Sequence, residues 1–490
     1  MSDLAGLLLL PLLTAALVYL VPGRRWVGGV AAGGSLVTLG IGLAVAARVY
    51  ERGPWQGGFF YVDALGAFLV GCIVIVAALA AVYSIGYFDR LLTEGTLSLS
   101  RWRSYHFWFQ VFVATMLLVV TVANLGVMWA AMEATTLASA FLVGFSGSQG
   151  GLEASWKYLV ICTVGITLAL FGVILTYYAS FHLHGPGVPS LDWLTLRGEA
   201  GELNPGLLRL GFIFILVGFG TKVGLAPMHT WLPDAHSQAP SPVSALLSGV
   251  LLPTALYGVL RFHLLLVKDL GPAYSSHLLL IFGLVSMGVA VPFILLQGDL
   301  KRLLAYSSLE HMGIITFAVG LESRLAFYGA ALQILAHALT KSLLFLCTGN
   351  IMRKFGTQKL RKLSGVVGAL PWTGPLFLLL VLGLAGMPPF GLFLSELTIL
   401  RAGLASGDAV WATFIFIGLL AAIFAGLLYY AGQIAFGKTS GVVGVGEPVP
   451  WFPYLSLPPF LALLYLGLGI PGPLTIGLSK VAAVLGGVAP

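Results

Sequence analysis

Charged residues are scarce in this chain: they make up 9% of its 490 residues, against 58% hydrophobic, with a mean hydropathy of +0.98. A soluble domain carries about one quarter charged residues, so a soluble globular fold is excluded. Cysteine is nearly absent. Cys72, Cys162 and Cys347 each lie inside an apolar run with no paired spacing, which excludes a disulfide framework, an Fe–S cluster and a zinc site. They read as small buried hydrophobes. No GxSxG, phosphate loop or dinucleotide fingerprint occurs. Bond-making chemistry, a cofactor and a bound metal are therefore not expected of this chain. The net charge of +7 belongs to basic loops and does not point to nucleic acid.

What the chain has in abundance is long apolar runs. A spanning helix needs about 20 such residues. Spans are expected near 4–21, 26–47, 62–86, 107–123, 125–145, 154–179, 207–227, 241–266, 274–296, 303–320, 325–350, 373–400, 409–436 and 454–470. The fold expected is an all-α polytopic membrane protein of about fourteen helices. The first run lacks a basic flank and a cleavage pattern, so it reads as a retained helix. The organisation expected is N-terminal helices over 1–106, two half-channel units over 107–266 and 273–436, and a C-terminal segment over 437–490. Lys and Arg concentrate in the odd-numbered connections: Arg24, Arg25, Arg90, Arg101, Arg103, Lys157, Lys301, Arg302, the run Arg353 to Lys362, and Lys438. The positive-inside bias makes those connections cytoplasmic and puts both termini outside, in a bacterial or archaeal cell membrane.

One stretch breaks the apolar pattern. Gly220-Thr221-Lys222-Val223-Gly224-Leu225-Ala226-Pro227-Met228-His229-Thr230-Trp231-Leu232-Pro233-Asp234-Ala235-His236 puts a lysine, then a proline, then His and Asp at the end of a span. A lysine at the bilayer centre costs about 2.5–3.5 kcal/mol on insertion scales, so it is a functional candidate. Pro227 lacks an N–H and predicts a break within a turn of Lys222. A weaker echo, Gly383-Leu384-Ala385-Gly386-Met387-Pro388-Pro389, lies beside Glu396. Paired Gly/Pro interruptions of this kind point to a repeat transporter with a site at mid-membrane.

The buried ionisable set expected is Glu133, Lys222, Glu310, His337, Lys341 and Glu396, alternating acid and base. Glu133 is expected to pair with Lys222. Contact favours both charges and separation favours loss of the lysine's proton, a physical basis for moving protons. His337 and Lys341 stand at i, i+4 and share a helix face. His229, Asp234, His236 and Arg261 are expected nearer an interface, as supporting groups. Asp63 and Asp299 read as boundary charges.

At these residues the chain resembles the antiporter-like subunits of the respiratory complex I superfamily, which includes the Mrp cation/proton antiporters and the membrane-bound hydrogenases. Trp129 to Glu133, Lys222 to His236, Asp299 to Ser308 and the His337 to Lys341 turn carry the resemblance. Ser308 to Gly313, Gly349 to Ile351 and Ala385 to Phe390 look most like hydrogenase-4 component F-like and complex I M-like subunits. The resemblance implies two inverted five-helix repeats with broken helices. It implies Glu133 and Lys222 in the first half-channel, Lys341 or Glu396 in the second, and His337 between them. It further implies other membrane subunits and a cytoplasmic redox arm as partners. The alternative it leaves open is a cation/proton antiporter or an ion-driven inorganic-carbon uptake module without such an arm. In one respect the chain departs from the pattern: where M-like subunits carry a central lysine, Gly249-Val250-Leu251-Leu252-Pro253-Thr254 has a proline. The bridging role must then pass to His337, Lys341, Glu310 or water.

Overall fold

In hydrocarbon every backbone N–H and C=O must be satisfied within its own segment, so apolar runs of this length fold as helices. The computed structural model describes residues 2–181, 191–437 and 444–487. In order its helices are α1 (Ser2–Leu20), α2 (Arg24–Arg52), α3 (Ala64–Thr93), α4 (Leu99–Thr121), α5 (Leu125–Val143), α6 (Gln149–Ala179) and α7 (Trp193–Gly198). Next come α8 (Pro205–Val223), α9 (Trp231–Gln238), α10 (Ser241–Leu270), α11 (Ala273–Leu295), α12 (Leu300–Gly320) and α13 (Arg324–Phe355). The chain closes with α14 (Val366–Ala369), α15 (Thr373–Leu384), α16 (Gly391–Leu404), α17 (Val410–Ala435), α18 (Phe452–Leu468) and α19 (Gly472–Leu485).

Among the described residues, 12 helices are long and apolar enough to cross a membrane, and α18 with α19 forms a further pair bent by 75°. The expected span 373–400 is two short helices, α15 and α16, separated by the Ala385–Phe390 break. The tail beyond Pro471 packs as α19 against α13 and α3. A short hairpin, β1 (Trp55–Gly57) against β2 (Phe60–Val62), joins α2 to α3, and the hydropathy pattern gives no sign of it.

Helix starts carry their own caps. Asp63, Ser98, Asn124, Ser148, Asn204, Asp299 and Ser323 each accept a first-turn N–H through the side chain. These orphan donors have no partner within the helix and are expensive to leave bare near lipid. The odd-numbered connections gather on one face. Arg101 donates to the Phe145 carbonyl, Arg353 to the Gly86 carbonyl, Lys354 to the Gly446 carbonyl, and Asp234 pairs with Lys157 and Arg302. Lys438 lies outside the described residues. The even-numbered connections meet on the opposite face, where Lys480 reaches the Tyr50 carbonyl and Arg197 reaches the Gly487 carbonyl. Helices α10 and α12 are enclosed by protein over their most apolar stretches, and α13 nearly so, and these three carry 19 of the 46 buried polar or charged residues among the described residues.

Asp63 and Arg261 are more than boundary or interface charges. Arg261 Nη1 and Nη2 donate to the two Asp63 oxygens at 2.7 and 2.8 Å, and both side chains are buried. Nη2 also donates to Tyr257 Oη, and the guanidinium lies 4.5 Å from the Trp193 ring centroid. This fork ties the start of α3 to α10. Leaving one partner of a buried pair uncompensated costs about 3–5 kcal/mol. Asp63→Asn or Arg261→Leu should therefore lower the thermal midpoint of the purified protein sharply. The Asp63→Leu/Arg261→Met double variant should recover part of that loss.

Candidate functional site: a buried polar axis

Lys222 occupies the last turn of α8 because the helix must end there. Gly224 takes the left-handed conformation (φ +80°), and an added Cβ would collide with Leu232. The indole of Trp231, at the start of the re-entrant α9, donates to the Thr221 carbonyl at 2.8 Å and satisfies one end-carbonyl of α8. The break is thus a built corner that presents Lys222 to α5 and α6.

Lys222 is fully buried, and its Nζ donates to Thr136 Oγ1 at 2.5 Å and to Tyr158 Oη at 2.9 Å. Glu133 is half-buried and accepts from Thr163 at 3.0 Å and from Thr136 at 3.4 Å. The expected acid–lysine pairing takes an indirect form: no ion pair joins them, and the Thr136 hydroxyl stands between, accepting from the lysine and donating to the glutamate. A threonine hydroxyl has one proton and two lone pairs, enough to do both. Tyr158 is held in turn by Ser139 at 2.7 Å and packs on Trp231 with ring centroids 4.7 Å apart.

The four supporting residues separate. His236 is fully buried, bonded through Nδ1 to the Leu232 carbonyl at 2.8 Å, with its ring between Trp231 and Phe345. It belongs to the axis, not to an interface. Asp234 pairs with Arg302 and Lys157 on the basic face, Arg261 sits at the opposite end with Asp63, and His229 lies beside Phe293 and Tyr306.

The second cluster answers the missing central lysine. Residues Leu247–Leu251 of α10 form a π turn. A π-turn carbonyl looks to the N–H five residues on. For Ser248 that residue is Pro253, which has none. The freed Ser248 carbonyl accepts from His337 Nε2 at 3.2 Å, while Ser248 Oγ bonds Ser308 Oγ at 2.7 Å. Lys341 donates to the Leu304 carbonyl at 2.7 Å and to Ser307 Oγ. His311, on α12, has its ring centroid 5.0 Å from that of His337 and accepts from Gln333 Nε2 at 2.9 Å through Nδ1. Those partners fix the tautomers: His337 carries its proton on Nε2 and has a bare Nδ1, whereas His311 carries its proton on Nε2. His337 Nδ1 has no hydrogen-bond partner, whereas the His311 N–H is turned toward the Leu384 carbonyl.

Gln333 also reaches Glu396 Oε1 at 3.5 Å, and Ser395 donates to its amide oxygen. Glu310 and Glu396 share a cavity of about 270 Å³ bounded by α12, α16 and α17. At this second break Gly386 is again left-handed (φ +77°), and a Cβ there would strike the Glu396 carboxyl.

Two kinds of residue escape the sequence reading. Thr136, Tyr158, Ser248, Ser307 and Gln333 are uncharged partners of the charged set. Gln333 is nevertheless visible in hindsight, since Gln333, His337 and Lys341 stand at i, i+4, i+8 on one face of α13. Lys301, read as a loop charge, is the other. It lies inside α12, is 1% exposed, and donates to the Ala239 carbonyl at 2.5 Å and to Ser244 Oγ at 3.3 Å.

The family described as NADH:quinone oxidoreductase/Mrp antiporter, TM, matches residues 122–425. A hydrogenase-4 component F homolog of Methylacidiphilum infernorum is 40% identical over 393 residues, 80% of this chain and 82% of that protein. An NAD(P)H-quinone oxidoreductase chain 4 of Synechococcus is 31% identical over 438 residues, 86% of this chain and 79% of that one. A chain in the solved structure of the membrane-bound sulfane sulfur reductase, an archaeal respiratory membrane complex, superimposes with a TM-score of 0.86. It is 21% identical, covering 99% of this chain and 98% of that chain, so it shows a shared fold.

The geometry around Glu396 yields a test. Gly386→Ala adds a Cβ in a left-handed conformation, worth about 1–2 kcal/mol against it, and pushes on the Glu396 carboxyl. It should lower the thermal midpoint by several degrees. Gly407→Ala, at a glycine with open space around its Cα, should leave the midpoint unchanged.

Proposed function

Since the chain belongs to the NADH:quinone oxidoreductase/Mrp antiporter family, we propose that it is a proton-translocating membrane subunit of a multi-subunit redox-driven complex, of the membrane-bound hydrogenase or complex I-like type. The observation that carries this reading is the state of the buried lysines. Lys222 and Lys341 are enclosed by protein, hold only hydroxyls and carbonyls, and make no ion pair among the described residues. A structural ammonium inside a membrane protein would be matched to a carboxylate, because an unpaired buried charge is costly. A lysine that must gain and lose its proton is better served by neutral partners that suit both states.

Glu133 and Lys222 then form the first half-channel, with Thr136 as the switch between them. When the Thr136 bridge is made, the Glu133 charge favours the ammonium; when it opens, the proton leaves. His236 continues the axis, and His337 and Lys341 receive the proton in the second half. His311 and His337, with ring centroids 5.0 Å apart, relay a proton only when one enters a ring nitrogen as another leaves the opposite nitrogen, and each ring must reset its tautomer before the step repeats. Glu310 and Glu396, at a shared cavity, end the path. Residues 107–266 and 273–436 are the two half-channel units, related as inverted repeats. The basic face is cytoplasmic, both termini are outside, and the membrane is that of a bacterium or archaeon. A cytoplasmic redox arm and further antiporter-like subunits are the partners. The family description also names Mrp antiporters, so cation/proton exchange without a redox arm is the second reading.

Purification in mild detergent separates the two. Co-purifying chains rich in cysteine and bound iron or nickel support the redox-driven complex. Metal-poor membrane partners alone would overturn it in favour of exchange. In either complex Lys222→Ala and Glu133→Gln should cut proton movement by at least about tenfold with assembly intact. Thr136→Val should fall with them, since it removes the bridge and leaves a buried donor worth about 1–3 kcal/mol unsatisfied. Thr136→Ser should retain most of the activity. Cys162→Ala, at a buried thiol that donates to none of these groups, should pump normally.

A further inference from the structure

A cavity of about 700 Å³ opens among the odd-numbered connections, between the ends of α3, α4, α12 and α13. Tyr87, Arg101, Ser148, Gln238, Gln358 and Lys301 are among its lining residues, and no carboxylate lines it. Lys301, the most deeply buried cation of that wall, has no ion pair among the described residues. Its Nζ is held by the Ala239 carbonyl and by Ser244 Oγ, and Ser244 in turn donates to the His236 carbonyl at 2.8 Å. This is the arrangement found at Lys222 and Lys341: a buried ammonium among neutral acceptors.

The position of Lys301 along α12 links the cavity to the axis. Residues 301, 304, 308 and 311 repeat at three- and four-residue spacing and so share one helix face. Lys341 sits on the Leu304 carbonyl, Ser308 bonds Ser248, and His311 faces His337. With a rise of about 1.5 Å per residue, Lys301 and the Leu304 carbonyl that holds Lys341 are only about 4.5 Å apart along the helix. Going inward from the basic face, the order is cavity, Lys301, Lys341, His311.

We propose that this cavity is an aqueous proton inlet from the basic face, and that Lys301 is the proton-carrying residue at its inner end, delivering to Lys341. The proposal rests on the translocation reading above but places the intake in the second half, apart from the Glu133–Lys222 pair. The basic lining is compatible with this role. Arg101 is fixed to the Phe145 carbonyl and stacked on the Phe145 ring, and Lys359, the third cation of the lining, is exposed, so Lys301 is the buried cation at the inner end. The rival reading is a cavity that holds an anion, with Lys301 as a permanent structural charge.

Two experiments on the intact complex in proteoliposomes decide it. In the first, Lys301→Met, Lys301→Arg and Lys301→His are compared for proton pumping, with assembly checked by size exclusion. An arginine keeps the charge and donors but does not release its proton. A carrier therefore predicts that Met and Arg both lose at least about tenfold while His retains clearly more. A native rate in Lys301→Met, or full rescue by Lys301→Arg, would overturn the proposal. In the second, Gln238→Cys is treated with a charged, membrane-impermeant methanethiosulfonate from the basic side. The three native cysteines of this chain are buried, and the same treatment of the complex with Gln238 intact sets the background from the partner chains. Labelling that stops pumping supports the inlet; absence of labelling, or labelling with full pumping, overturns it. Lys222→Ala in the same vesicles separates the two levels. If it abolishes pumping while the Lys301 and Gln238 variants are silent, only the inlet fails; if it too is silent, translocation by this chain fails.

Discussion

Enclosing an ammonium group where water is scarce is the constraint on which the rest of this structure depends. An ion moved from water to the protein interior loses its hydration, and something must replace it. Here the replacements are neutral: Thr136 and Tyr158 for Lys222, Ala239 and Ser244 for Lys301, Leu304 and Ser307 for Lys341. Each set requires a carbonyl or hydroxyl brought from another helix or turn. That demand explains why the most enclosed helices, α10, α12 and α13, hold so many serines, threonines and histidines. By contrast Arg261, whose guanidinium does not give up its proton, is paired bidentately with Asp63. The fold pairs its buried arginine with a carboxylate and leaves its buried lysines to neutral partners.

The breaks serve the same end. At Gly224 and at Gly386 a left-handed glycine turns the chain out of a helix beside an ionisable side chain, and a Cβ at either would displace a neighbouring side chain, Leu232 or Glu396. At the first corner Gly224 and Leu225 N–H groups close the helix end and the Trp231 indole adds a second donor to the Thr221 carbonyl; the second lies beside the Glu396 carboxyl. Irregular backbone at membrane depth is tolerated where protein encloses it or where it lines a water-filled cavity; Gly224 is buried, while Pro388 and Pro389 of the second corner are exposed.

Much of this was legible in the chain. Scarcity of charge gave the class, the apolar runs gave most helices, and the position of Lys222 ahead of Pro227 gave the first corner. Glu310, His337, Lys341 and Glu396 declared themselves as charges in apolar surroundings. What stayed hidden was neutral or depended on depth. Thr136 and Gln333 look like any polar residue until a second helix is placed against them. Lys301 looked like a loop charge because it adjoins Arg302, yet one turns inward and the other pairs with Asp234 outside. Adjacent residues on a helix point some 100° apart, and no hydropathy window resolves that. Asp63 and Arg261, 198 residues apart in sequence, could be joined only by the fold.

Proline at position 253 shows how a site can be made from backbone alone. By withholding an N–H it leaves the Ser248 carbonyl to His337, so the acceptor at the centre of the axis belongs to no side chain. Replacing residue 248 by any other amino acid would leave that oxygen in place. A saturation scan of position 248 would report the lost Ser308 bond and leave this contact untouched. From the acceptor's side it becomes visible only through chemistry on the main chain itself, such as an ester in place of the amide, or through the remote proline that sets it free.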